Sequence, residues 1–114
     1  MYSAGRGVRK DLKKAAFWYK KAFNDRGSST AAINLGIDLK NSGNIKGAIR
    51  WFEKARALGD GYAYIQLARI YAVRKTGRKK AESLLKEVLA SDSENVTELD
   101  KEDAQQLLGN LVGN

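Results

Sequence analysis

The stretch Ala15-Ala16-Phe17-Trp18-Tyr19-Lys20-Lys21-Ala22 returns 33 residues later as Ala48-Ile49-Arg50-Trp51-Phe52-Glu53-Lys54-Ala55. A second step of 33 reaches Ala81-Glu82-Ser83-Leu84-Leu85-Lys86-Glu87-Val88, where aliphatic side chains take the aromatic slots. In each copy a small residue is followed by large apolar residues three and four positions on. The next apolar residue comes at seven. That spacing puts all four on one face of a helix. A recurrence at this period is the signature of a repeat architecture.

Working outward, a second motif separates these blocks. Ala32-Ile33-Asn34-Leu35-Gly36 precedes the second block, and Tyr64-Ile65-Gln66-Leu67-Ala68, followed by Tyr71, precedes the third. Ala104-Gln105-Gln106-Leu107-Leu108-Gly109 echoes the same element after a longer gap. Each unit therefore reads as two helices, A and B, joined by a glycine-containing turn at Gly43-Asn44 or Thr76-Gly77. Gly27-Ser28-Ser29 and Gly59-Asp60-Gly61 link one unit to the next, as C-terminal glycines followed by N-cap residues. The complete absence of proline suits helices with short connections.

The small residues Gly36, Ala48, Ala55, Ala68 and Ala81 let helices approach closely. Leu35, Leu39, Trp51, Phe52, Leu67, Tyr71, Leu84 and Leu85 fill the space between them. One such pair cannot bury its apolar face alone; stacked neighbours make a continuous core.

Ala32-x-x-Leu35-Gly36-x-x-Leu39, then Ala48, Phe52 and Ala55, resembles the tetratricopeptide repeat. Tyr2-x-x-Gly5-x-Gly7-Val8-x-x-Asp11-x-x-x-Ala15-x-x-Trp18-Tyr19-x-x-Ala22 is more similar to the Sel-like branch, which has a longer glycine-rich turn between its helices. The resemblance covers roughly residues 2–90. Leu84 and Leu85 depart from the usual aromatics, and Ala68 from the usual glycine. The resemblance implies an all-α, right-handed α-α superhelix built from helical hairpins. The expected organisation is one repeat domain. It comprises a partial repeat over 1–27, repeats over 28–59 and 60–90, a linker over 91–100 and a terminal capping helix over 101–114. With Tyr2 standing where an A helix would end, either the chain is part of a longer solenoid, the favoured reading, or the first B helix serves as a terminal cap.

Composition excludes several function classes. The 114 residues contain neither histidine nor cysteine. The usual catalytic triads, histidine acid–base chemistry and zinc–thiolate sites are therefore not expected. Gly5-x-Gly7 is followed by Val8, not by a phosphate-binding loop, and Asp11, Asp38, Glu53 and Asp60 are dispersed rather than paired. The chain reads as a non-enzyme without metal or cofactor. No apolar run approaches the ~20 residues of a bilayer span. Met1 to Lys10 lacks the apolar core of a signal peptide. The reading favours the cytoplasm, with a periplasmic or secreted location only after removal of a signal.

Charge is uneven. Residues 1–90 hold 20 basic and 7 acidic residues, and residues 91–114 hold one lysine and six acids, which together make the net +8. The resemblance implies that A helices line a concave, peptide-binding surface. Carried over, the groove presents Thr30, Ile33, Asn34, Ile37 and Lys40 from one unit and Tyr62, Ile65, Gln66, Arg69 and Val73 from the next. Asn34 and Gln66, equivalent amides, either bridge a peptide backbone or satisfy nearby helix ends. Lys40 and Arg69 either engage a carboxylate or stay solvated. Ile33, Ile37 and Ile65 are anchors or core, depending on how tightly the superhelix winds. The leading expectation is an adaptor or scaffold segment that binds an extended acidic peptide, a role common to Sel-like proteins, many of them bacterial.

A second surface competes. Lys13, Lys46 and Lys79 recur every 33 residues, flanked by Lys14 and Lys80, and Arg74, Lys75 and Arg78 cluster in the third turn. Such a ladder can track a nucleic-acid backbone. Trp18, Tyr19, Trp51 and Phe52 are expected in the core, which leaves no stacking platform for bases. An immunity-type inhibitor is a third class. In the tail, Asp100 is expected to cap the last helix, with Leu107, Leu108, Leu111 and Val112 as its apolar stripe. An uncapped first unit exposing Phe17, Trp18 and Phe23 would invite self-association.

Overall fold

A computed structural model describes residues 11–74 and 76–113. Tyr2, Gly5, Gly7, Val8, Lys75 and the Val112 side chain lie outside the described residues. Among those described, all regular structure is helical: α1 (Leu12–Arg26), α2 (Ser29–Asn41), α3 (Ile45–Ala57), α4 (Gly61–Ala72), α5 (Arg78–Ala90) and α6 (Glu98–Gly113). Each helix packs on the next, and α6 packs on α4 as well as α5. The molecule measures 42 × 29 × 24 Å.

Short polar residues start the helices. Asp11 Oδ1 accepts from the Lys14 amide at 3.1 Å, Ser28 Oγ from Ala31 at 3.1 Å and Asn44 Oδ1 from Gly47 at 2.9 Å. Asp60 starts α4, accepting from the Tyr62 amide through Oδ1 at 3.0 Å. Its other oxygen accepts the Ser29 hydroxyl at 2.6 Å, which ties the start of α4 to the start of α2. Each such cap supplies an acceptor for an otherwise orphaned amide, and losing it costs about 1 kcal/mol. Gly27 and Gly59 end α1 and the α3 turn at φ 64° and 82°, a left-handed conformation that favours glycine.

Most of the expected core is buried, although Leu39, Trp51 and Tyr19 are only half-buried. Ala48, Phe52 and Ala55 of α3, Ile65 and Leu67 of α4, and Ala81, Leu85 and Val88 of α5 are fully buried. Gly36 makes the α2–α3 contact possible: a Cβ built there would stand 2.5 Å from the Phe52 ring. α1 is different. None of its residues is buried, and Phe17 and Trp18 are 60% and 59% exposed. Phe23 holds it in place, meeting Trp51 edge-on at 5.4 Å, with the Lys54 ammonium over both rings. Trp18 is thus on the surface rather than in the core, and Phe23 is half-covered rather than exposed.

The last helix begins three residues before its expected start. Thr97 is its cap: Thr97 Oγ1 accepts from the Asp100 amide at 3.0 Å, and the Thr97 amide donates to Asp100 Oδ2 at 3.0 Å. This reciprocal pair is a capping box, in which Asp100 is the third helical residue rather than the cap. Nor is the segment over 91–97 a free linker. The Asn95 carbonyl accepts from the Gly61 amide at 2.9 Å, and Asn95 Nδ2 donates to the Leu58 carbonyl at 3.0 Å. These bonds fasten it to the α3–α4 turn.

Candidate functional site

The last turns of α2 and α4 and the first residue of α3 converge on one cleft. It is lined by Lys40, Ile45, Arg69, Ile70, Val73 and Arg74 and has a volume of 480 Å³. Its floor is formed by the buried Ile70 and the half-buried Ile45, Val73 stands exposed at its edge, and three cations of the described residues line its rim. No carboxylate lines it, and among the described residues none of the three cations lies within 4 Å of one.

Local helix geometry explains the placement. Lys40 and Arg69 sit in the last turns of α2 and α4, where a cation is favoured by the partial negative charge of the helix end. Two such ends contribute about half a charge each and the start of α3 returns about half of opposite sign. Three full positive charges outweigh that, so the cleft is net cationic. Arg74 is held by Tyr71, its guanidinium lying 5.7 Å from the ring centroid. Such a contact limits the rotamers the side chain must give up on binding.

Of the ten residues expected in a groove, the cleft brings together Lys40, Arg69 and Val73. Thr30 and Tyr62 are exposed near the starts of α2 and α4, outside the cleft, and Asn34 and Ile37 are half-buried. Ile33 and Ile65 are buried at 6% and 0% exposure and belong to the core, where α2 and α4 are covered by their neighbours. Gln66 is buried too, at 5%, and its Oε1 has no hydrogen-bond partner. Ile45, Ile70 and Arg74 join the cleft beyond the residues that the A-helix pattern implies. Ile45 was legible in principle: a turn of Ser42-Gly43-Asn44 must fold the first residue of α3 back beside the end of α2.

The lysines of the proposed ladder are all exposed, and Lys13, Lys46 and Lys79 each occupy the second position of α1, α3 and α5. Lys80 of the ladder and the neighbouring Arg78 are engaged within the fold. The Lys80 ammonium lies 4.7 Å over the Tyr71 ring, and an Arg78 guanidinium nitrogen donates to the Leu111 carbonyl at the end of α6. Arg56 joins α3 to α5, donating to Glu53 at 2.6 Å with Glu87 at 3.9 Å. Its pKa is raised above the ordinary arginine value, chiefly by the Glu53 hydrogen bond, with partial burial opposing.

Among the described residues no group of acids could hold a metal ion, and no helix is long and apolar enough to cross a membrane. No family model, curated protein or solved structure matches the chain.

Proposed function

We propose that this chain is a protein-interaction module that takes an acidic, partly apolar peptide segment into the Lys40–Arg69–Arg74 cleft. The observation that carries this reading is the pairing of an aliphatic floor with three cations and no lining carboxylate. A peptide with an aliphatic side chain between carboxylates would bury the former on Ile45, Ile70 and Val73. It would place the latter against the rim, each charge-assisted bond contributing about 1.5–3 kcal/mol when desolvated. We further propose that the helix pairs form a segment of a right-handed α-α superhelix of the tetratricopeptide type, in its Sel-like branch. The common second-position register of Lys13, Lys46 and Lys79 supports this, as does the seating of Phe52 against Gly36.

A labelled peptide alternating glutamate with leucine tests the site by fluorescence anisotropy. Arg69→Glu with Lys40→Glu is expected to weaken binding at least tenfold, while Thr30→Ala and Tyr62→Ala change it less than twofold. Equal binding by the charge-reversed variant would overturn the assignment.

Nucleic-acid binding is the second reading, and one observation favours it: Phe17 and Trp18 are exposed among lysines, so a stacking platform exists after all. A labelled single strand discriminates the two. Its affinity would fall with salt at a log–log slope of several phosphates, each contributing about −0.7, and would survive reversal of Lys40 and Arg69.

A further inference from the structure

The two end helices are opposite in charge and each leaves a helix face uncovered. α1 carries five basic residues and one acid, a net of +4; α6 carries four acids and one lysine, a net of −3. On α1 the exposed face centres on Phe17 and Trp18, packed edge-on at 5.3 Å, with Lys13, Lys14 and Lys20 around them. Lys21 is engaged by Asp25 at 3.2 Å. On α6 the uncovered face holds Glu98, Leu99, Glu102, Gln106 and Gly109, with Leu99 65% exposed.

Gly109 makes α6 more than an acidic surface. The pair Leu108-Gly109 repeats Leu35-Gly36 in sequence, but one residue out of register with the buried Ala104, so Gly109 falls on the exposed side of α6. At Gly36 the Phe52 ring occupies the space a side chain would take; at Gly109 nothing lies within 4 Å of that position. Gly109 is exposed and faces open space, so α6 offers a patch without side chains beside its exposed acids.

We infer that the α1 face of one copy docks on the α6 face of a second copy, head to tail. Phe17 and Trp18 lie against Leu99, Gln106 and Gly109, and the lysines face Glu98 and Glu102. A symmetric α1–α1 contact would oppose two +4 helices, whereas the head-to-tail contact joins unlike charges. Because the two surfaces are different, the contact is heterologous, and any assembly that does not close into a ring leaves a free α1 at one end and a free α6 at the other. The residues involved are separate from the cleft, so this inference stands or falls apart from the peptide-binding reading.

Complementation tests it. One variant carries Phe17→Ser and Trp18→Lys, which disable the α1 face at exposed positions; another carries Glu98→Lys and Glu102→Lys, which disable the α6 face. Light scattering of the wild type should show mass that rises with concentration without a fixed stoichiometry and falls with added salt. Each variant alone should be monomeric. Mixed, the two should give a one-to-one heterodimer and nothing larger, since only one intact α1 and one intact α6 remain. A wild type monomeric at every concentration would overturn the inference. So would variants that self-associate as the wild type does, or a mixture that stays monomeric. Unchanged circular dichroism of both variants confirms that the contact, not the fold, was altered. Binding of the wild type to anionic phosphatidylserine vesicles without mass growth in solution would assign the Phe17–Trp18 face to a lipid surface instead.

Discussion

Trp18 in α1 and Leu84 in α5 stand at the same position of the repeat, 66 residues apart, yet one is 59% exposed and the other 5%. Between them, Trp51 is half-buried against Phe23. The residue types differ little in hydrophobicity; the number of neighbouring helices differs. α5 is packed by α4 and α6, while α1 packs on α2 with little beyond Phe23 reaching further. In an architecture where each element is buried by its neighbours, a residue's burial is set by its place in the row as much as by its own chemistry.

The strongest way to break this comparison is to truncate both positions. Leu84→Ala is expected to cost about 2–5 kcal/mol because it opens a cavity in a packed core. Trp18→Ala should cost less than about 1 kcal/mol, since the side chain is mostly solvated already. Urea denaturation of dilute protein measures both, and equal losses would mean that α1 is covered in solution.

The two glycines sharpen the contrast at a smaller scale. Gly36→Ala pushes a methyl into the Phe52 ring and is expected to destabilise by about 1–3 kcal/mol. Gly109→Ala meets open space within a helix and should stabilise by up to about 1 kcal/mol through helix propensity alone. A shared sign for the two changes would refute the idea that only Gly36 is packed against a neighbouring helix.

The smallest effect compares caps. Thr97→Ala removes half of a reciprocal box on a helix packed against α4 and α5, and about 1–2 kcal/mol should be lost. Asp11→Ala removes a single exposed cap from a loosely held helix, and about 0.5 kcal/mol is expected at most. Thermal melts of the two variants rank them.

Much of the fold was readable because helix periodicity and the 33-residue offset are local properties. Gly27 and Gly59 marked helix ends, and Gly36, Ala48, Ala55, Ala68 and Ala81 marked the close approaches; all five of the latter are buried. What sequence could not fix were the quantities that depend on how helices sit relative to one another. Ile33 and Ile65 are apolar residues on A helices whichever way a unit is wound, and only the packing of neighbours made them core. The start of α6 was missed because Thr97 and Asp100 are both plausible caps, and the reciprocal pair that decides between them is three-dimensional. Of the candidate site, Lys40 and Arg69 follow from the resemblance to A-helix grooves, while Arg74, flanked by Lys75 and Arg78, reads from sequence as part of a basic cluster.

The segment over 91–97 has one more consequence. Asn95 spans the α3–α4 turn, bonding Leu58 on one side and Gly61 on the other, while Asp100 fills the space above Gly61. A row of helices held only by nearest neighbours would fray from either end, one helix at a time. Here the chain returns to a turn that it left some 35 residues earlier and closes a loop around α4 and α5. Those two helices and α6 then open together or not at all, so slow amide exchange belongs to this end of the molecule. At the other end, among the described residues, no hydrogen bond returns α1 to a distant turn in this way, and its amides are expected to exchange first.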